Sequence, residues 1–100
     1  MTTSTFRLTA QAENDLENIG EYSERTWGMA QADHYLDLIV RHFTLLASEP
    51  HLGQPCDELR KGYRKYIAEK HVVFYRTLND HDGIEIMAIL HGSMDFDRHL

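Results

Sequence analysis

YRKYIAEKHVVFYRTLNDHDGIEIMAILH, residues 63–91, decides the fold of this chain. It holds three segments rich in β-branched and aromatic residues, 63–68, 71–78 and 84–91, separated by Glu69-Lys70 and by the polar run Asn79-Asp80-His81-Asp82-Gly83. Separators this short join neighbouring strands as antiparallel hairpins, so the stretch predicts a three-stranded meander. In the last strand Ile84, Ile86, Ala88 and Leu90 form one apolar row, with Met87 and Ile89 on the opposite side. The middle strand likewise sets Val72 and Phe74 against Val73 and Tyr75, so both faces of the sheet carry apolar side chains.

Working outward, Ala12, Leu16, Ile19, Ser23 and Trp27 recur at spacings of three and four, which puts them on one face of a helix over 10–27. Thr9 supplies an N-cap hydroxyl, and Gly28 a left-handed stop. A second helix over 30–48 repeats the pattern with Ala32, Tyr35, Leu36, Ile39, Phe43 and Leu46, and Pro50 ends it. The short connection forces an antiparallel helical hairpin. Thr5-Phe6-Arg7-Leu8 alternates as a short first strand, and 50–59, with two prolines and one glycine, reads as a loop. The predicted class is α+β: an N-terminal two-helix hairpin packed on one face of an antiparallel sheet, in the order β-α-α-β-β-β, forming a single domain over 1–100.

A helical hairpin covers one sheet face. The other needs a lid, and the nine residues from Gly92 to Leu100 look too few for three strands. The expectation is therefore that a partner's helix or strand completes the burial over Val73, Tyr75, Met87 and Ile89.

The chain has 100 residues, a 42% hydrophobic and 26% charged composition, and a net charge of −6. That is a globular composition, and the acidity argues against a general nucleic-acid binder, which draws affinity from releasing phosphate counterions. The charge is unevenly placed. Arg60, Lys61, Arg64, Lys65, Lys70 and Arg76 meet only Glu69 within 60–76, and Tyr63, Tyr66 and Tyr75 interleave with them, a mixture suited to RNA bases and to protein hot spots alike. No apolar run reaches the roughly 18 residues of a membrane span, and the lone Cys56 fits a reducing compartment, so a cytoplasmic protein without membrane contact is expected.

His51, Cys56, Asp57 and Glu58 match no closed metal site, and neither a metal nor a cofactor is expected. His91, Ser93, Asp95 and His99 include the residue types of a hydrolase triad without the sharp turn or oxyanion donors that such a site requires.

In order along the chain, Leu8-Thr9 with Ala12, Trp27-Gly28, Gln31-Ala32, Tyr35-Leu36, Leu46-Ala47 and Pro50 are followed by Leu52-Gly53 and Pro55-Cys56-Asp57-Glu58. Gly62-Tyr63-Arg64-Lys65, the run from His71 to Arg76, Ile84-Glu85-Ile86, Leu90-His91, Met94-Asp95 and His99-Leu100 come after them. This series resembles the ParE branch of the RelE/ParE toxins of bacterial toxin–antitoxin modules. The resemblance implies two antiparallel helices on an antiparallel sheet and a non-catalytic toxin that binds DNA gyrase. It also implies neutralisation by a ParD-type antitoxin in a hetero-oligomer. Arg60, Lys61, Arg64, Lys65, Arg76 and His91 are the expected target contacts, and Val73, Tyr75, Met87 and Ile89 the expected antitoxin contacts. Gly92-Ser93 departs from relatives that carry a basic residue there, which bears on potency. Two rival readings share the fold. One is a RelE-like ribosome-dependent messenger endonuclease using Tyr66, Arg64, Lys65, Arg76 and His91; the other is a non-toxic remnant that only binds antitoxin.

Overall fold

The computed structural model describes residues 5–78, 83–92 and 96–100. Strand β1 (Thr5–Leu8) leads into helix α1 (Ala10–Trp27), which is followed by α2 (Met29–Ser48) and a single 3₁₀ turn, Pro50–Leu52. Then come β2 (Gln54–Pro55), β3 (Arg64–Ala68), β4 (His71–Thr77), β5 (Gly83–His91) and a short helix α3 (Phe96–His99). The stretch expected to be only a loop thus adds a 3₁₀ turn and an edge strand.

The helix boundaries follow from local chemistry. The Thr9 hydroxyl accepts the Ala12 amide at 3.1 Å and donates to the Met87 carbonyl at 3.0 Å, capping α1 and fastening it to β5 in one step. Gly28 alone separates the helices. Its φ of 92° and ψ of 166° suit only a residue without Cβ, and its amide closes α1 on the Glu24 carbonyl at 2.9 Å.

The sheet order is β1-β5-β4-β3-β2. Strands β2 to β5 pair antiparallel, whereas β1 pairs parallel with β5 through Thr5↔Gly83 to Leu8↔Ile86, so the sheet is mixed where a wholly antiparallel one was expected. The helical hairpin intervenes between β1 and the meander, and a long connection of that kind is what a parallel pair requires.

Strand β5 contains one residue too many for its partner. Phe74 pairs with Ala88 and Tyr75 with Ile86, so Met87 is the extra residue of a bulge. An added residue reverses the facing of everything beyond it. The expected row of Ile84, Ile86, Ala88 and Leu90 is therefore split: the two isoleucines meet the helices, and Ala88 and Leu90 face the other way.

Two cores result. The first joins Ile39, Phe43 and Leu46 of α2 and Ala12 and Ile19 of α1 to the helix-side face of the sheet. Val73, Tyr75 and Ile89, expected on an uncovered face, belong to this core and are 0%, 0% and 3% exposed. Met87 is half-buried in the bulge and joins neither core. An exposed apolar face at these four positions is accordingly corrected: the bulge and the β4 register turn Val73, Tyr75 and Ile89 toward the helices.

The second core, Cys56, Val72, Phe74, Ala88 and Leu90, is covered by Leu59, Tyr63, Phe96 and Leu100. The chain's own tail is thus a sufficient lid once the 56–63 segment shares the task. The Phe96 ring stands edge-on to Phe74 at 5.0 Å, and the Arg60 guanidinium donates to the Leu59, Asp97 and Leu100 carbonyls at 2.6, 3.3 and 2.7 Å. Among the described residues no helix is long and apolar enough to cross a membrane.

Candidate protein-interaction surface

The basic window disperses once folded. Residues directly opposite on neighbouring strands share a face, so Arg64 and Tyr66, opposite Tyr75 and Val73, lie on the helix side. Lys65, opposite Phe74, lies on the other. Arg64 donates to the Gly53 carbonyl at 2.6 Å, and Arg60 holds the tail, also meeting the Asp97 carboxylate at 3.1 Å. Arg76 pairs with Glu85 at 2.7 Å, and Arg7 reaches the same carboxylate from β1 at 3.1 Å. The Arg76 hydrogen bond, with Arg7 behind it, keeps the Glu85 carboxyl below the usual range. Lys61 and Lys65 make no ion pair among the described residues.

His91 lies far from Arg76. It pairs with His71 at one end of β5, while Glu85, beside Arg76, sits six residues along the strand, roughly 20 Å away at about 3.3 Å per residue. Tyr66 stacks obliquely on His42 at 5.7 Å, and His42 bonds Glu69 at 2.9 Å. The groups nominated for RNA cleavage therefore occupy two faces and two ends of the sheet. Ser93 and Asp95 of the triad considered above lie outside the described residues, and among the described residues no three His, Cys, Asp or Glu side chains gather to hold a metal.

The folded chain instead opens a groove along α1. One cavity of about 500 Å³ is lined by Tyr22, Trp27, Tyr35, Lys70, His71 and His91, with Ser23 and Gln31. A second of about 410 Å³ continues it past Asp15, Asn18 and Ile19 and shares Tyr22, His71 and His91 with the first. Tyr22 and Trp27 are 58% and 52% exposed, and their rings meet edge-on at 6.0 Å. Trp27, expected on the buried face of its helix, is half exposed, and the Lys70 ammonium caps its ring at 5.7 Å.

Hydrogen bonds fix the groove floor. The Tyr35 hydroxyl accepts the Lys70 amide at 3.1 Å and lies 2.8 Å from His71 Nδ1. Burial pushes the Tyr35 phenol up, so it keeps its proton beside Nδ1. Burial, with His91 adding to it, lowers His71 to about 4, and the ring is neutral near pH 7. At the other end the Asp15 carboxylate accepts the Ile89 amide at 3.0 Å, pairing a β5 group that lies beyond the reach of β1. Burial raises that carboxyl, while the Ile89 bond and His99 oppose the shift.

Sequence patterning missed Trp27 as a surface group because its helical spacing assigned it to the core, and it gave Tyr22 no role. Tyr22 carried a signal, being a large aromatic off the apolar stripe of α1.

The fold is shared with chains of solved toxin–antitoxin systems. It superimposes with a TM-score of 0.74 on a chain of the chromosomal ParDE system from P. aeruginosa, at 20% identity over 89% of this chain and 96% of that one. The RelBE2 toxin–antitoxin complex of Mycobacterium tuberculosis gives 0.69, at 22% identity over 94% and 97%. Residues 6–96 match the model of the ParE toxin of the type II toxin–antitoxin system parDE, and the chain belongs to that family. It is 40% identical to toxin ParE1 of Caulobacter vibrioides over 95% of this chain and 96% of that protein. Toxin ParE1 of Mycobacterium tuberculosis is 37% identical over 97% and 98%.

Proposed function

We propose that this ParE-family toxin acts by binding DNA gyrase without catalysis of its own, and that a ParD-type antitoxin neutralises it. The observation that carries the reading is the contrast between two sets of residues. The side chains that ribonuclease chemistry would need are spread over both sheet faces, and Arg64, Arg76 and Tyr66 among them are engaged in holding the fold. Exposed aromatic rings line a continuous groove, and such rings are the commonest anchors of protein interfaces. General acid–base cleavage needs its groups within hydrogen-bond reach of one phosphate, and this arrangement offers no such convergence among the described residues.

Within the basic window, Lys61 and Lys65 are the proposed target contacts, since Arg60, Arg64 and Arg76 are committed to the tail, to Gly53 and to Glu85. The cytoplasm is the compartment in which gyrase would be met. Purified chain is expected to inhibit supercoiling by gyrase and to accumulate cleaved DNA, and added antitoxin is expected to reverse both. Messenger cleavage on ribosomes with gyrase unaffected would refute the reading. Antitoxin binding with neither activity would leave the remnant interpretation.

A further inference from the structure

We infer that His71 and His91 form a binding site for a divalent transition-metal ion of the class that favours imidazole (zinc, nickel or copper), with the Tyr35 hydroxyl behind it as the group that orients the first ring. His71 opens β4 and His91 closes β5, and the antiparallel register sets the two directly opposite each other. Side chains so placed start about 4.5–5.5 Å apart at Cβ and share one face of the sheet. Their rings lie 5.5 Å apart, centre to centre, with planes crossed at 90°. An ion about 2.0–2.1 Å from one nitrogen of each imidazole stands roughly 3.2 Å from each ring centre, and a tetrahedral angle at the ion then separates the centres by about 5.2 Å. The observed spacing is close to that value, so sharing an ion takes rotation about side-chain bonds and no movement of the strands.

The surroundings suit an ion as well. Both rings line the cavity of about 500 Å³ and the one of about 410 Å³ that continues it, which gives water and ions access to them. His71 Nδ1 lies 2.8 Å from the Tyr35 hydroxyl, which leaves Nε2 for coordination. Coordination there keeps the ring proton on Nδ1, where the phenol oxygen accepts it, the kind of outer partner that holds a ligating imidazole in place. The Lys70 amide fixes that oxygen at 3.1 Å. Charge nearby is balanced: the Asp15 carboxylate lines the second cavity, and the Lys70 ammonium in the first is drawn over the Trp27 ring at 5.7 Å. Among the described residues no third His, Cys, Asp or Glu completes the set. An ion held by two imidazoles therefore keeps open positions for water and exchanges, unlike one in a closed four-ligand structural site. It would tie together the open end of the β4–β5 hairpin.

The test titrates untagged protein with copper, nickel and zinc chlorides by isothermal titration calorimetry in a buffer without chelating groups. One ion per chain is expected, with copper bound more tightly than nickel or zinc, the order that imidazole sites follow. His91→Gln, at an exposed position, should weaken binding about tenfold or more while the metal-free protein melts near wild type. His71→Gln should weaken it as much, and the double variant little further, since one donor alone does not chelate. Tyr35→Phe keeps both ligands and should still weaken binding roughly tenfold. His51→Gln, exposed and outside both cavities, serves as the control and should change Kd less than twofold. Electron paramagnetic resonance of the copper-loaded chain should show two nitrogen donors in wild type and one in His91→Gln, a readout that does not depend on how well His71→Gln folds. Absence of stoichiometric binding, or an affinity and copper spectrum that His91→Gln leaves unchanged, would overturn the site. Wild-type affinity in Tyr35→Phe would overturn the orienting role given to that hydroxyl.

Discussion

Tyr75→Phe tests the folded arrangement most directly, because it removes one oxygen and leaves the ring in place. That oxygen donates to the Pro50 carbonyl at 2.6 Å and accepts the Gly53 amide at 2.8 Å, from a side chain with no exposed surface. Burial raises the phenol, so the donor keeps its proton throughout the neutral range. The variant leaves the buried Gly53 amide and the half-buried Pro50 carbonyl without their partner. A buried unsatisfied group costs about 1–3 kcal/mol and a partly hydrated one less, so the expected loss is about 2–3 kcal/mol. That is a large part of the roughly 5–15 kcal/mol available to a domain of this size.

Urea unfolding followed by far-ultraviolet circular dichroism should show a lower midpoint with an unchanged slope. The melting temperature should fall by roughly 10–15 °C. Arg64 donates to the carbonyl of the same Gly53, so Arg64→Ala and Tyr75→Phe should be non-additive in a double-mutant cycle. A ring carbon of Tyr75 stands 2.6 Å from where a Cβ on Gly53 would be, and Gly53→Ala should disturb the same junction. Unfolding of Tyr75→Phe within about 0.5 kcal/mol of wild type, joined to a loss of antitoxin affinity, would refute the reasoning and return Tyr75 to the surface.

Three further outcomes are expected. Burial raises Asp15, so its charged form is mildly unfavourable at pH 7; Asp15→Asn, which keeps an acceptor for the Ile89 amide, should equal or exceed wild-type stability, while Asp15→Ala should lose about 1–2 kcal/mol in urea unfolding. His71 is lowered from 6.5 to about 4, so its contribution is fully present above pH 6.5 and lost as pH falls toward 4. Allowing for its partial exposure, wild type should lose about 2 kcal/mol more than His71→Gln across that window, measured by urea midpoints at each pH. Arg60→Ala removes the guanidinium that holds the tail through the Asp97 and Leu100 carbonyls and the Asp97 carboxylate and should speed cleavage of the tail by carboxypeptidase several-fold, with a global cost of only about 1 kcal/mol because the side chain is 39% exposed.

Much of the fold was legible because its signals are local. Helix periodicity, Thr9, Gly28 and Pro50 gave α1 and α2 to within a residue, and the short separators placed the three antiparallel strands. The partner of β1 was not legible, since a parallel pair depends on contacts 78 residues apart. The facing of Ala88 and Leu90 was hidden for another reason: alternation carries no mark of an inserted residue, and Met87 resembles any other strand position. The site was read least well. Arg64 and Arg76 look like free cations in a list of residues, yet their partners, Gly53 and Glu85, come from other strands and turns. The groove depends on how α1 and α2 seat against β4 and β5, which no spacing records.

The inserted Met87 divides one strand between two masters. Ile84 and Ile86, and Ile89 beyond the bulge, answer to the volume of Phe43 and Ile39, whereas Ala88 and Leu90 answer to Phe96 and Leu59. Each core can therefore be repacked against its own neighbours with little effect on the other. Volume changes at Ile84 should be compensated from α2, and those at Leu90 from the tail. The sheet behaves as a partition whose two sides can drift independently.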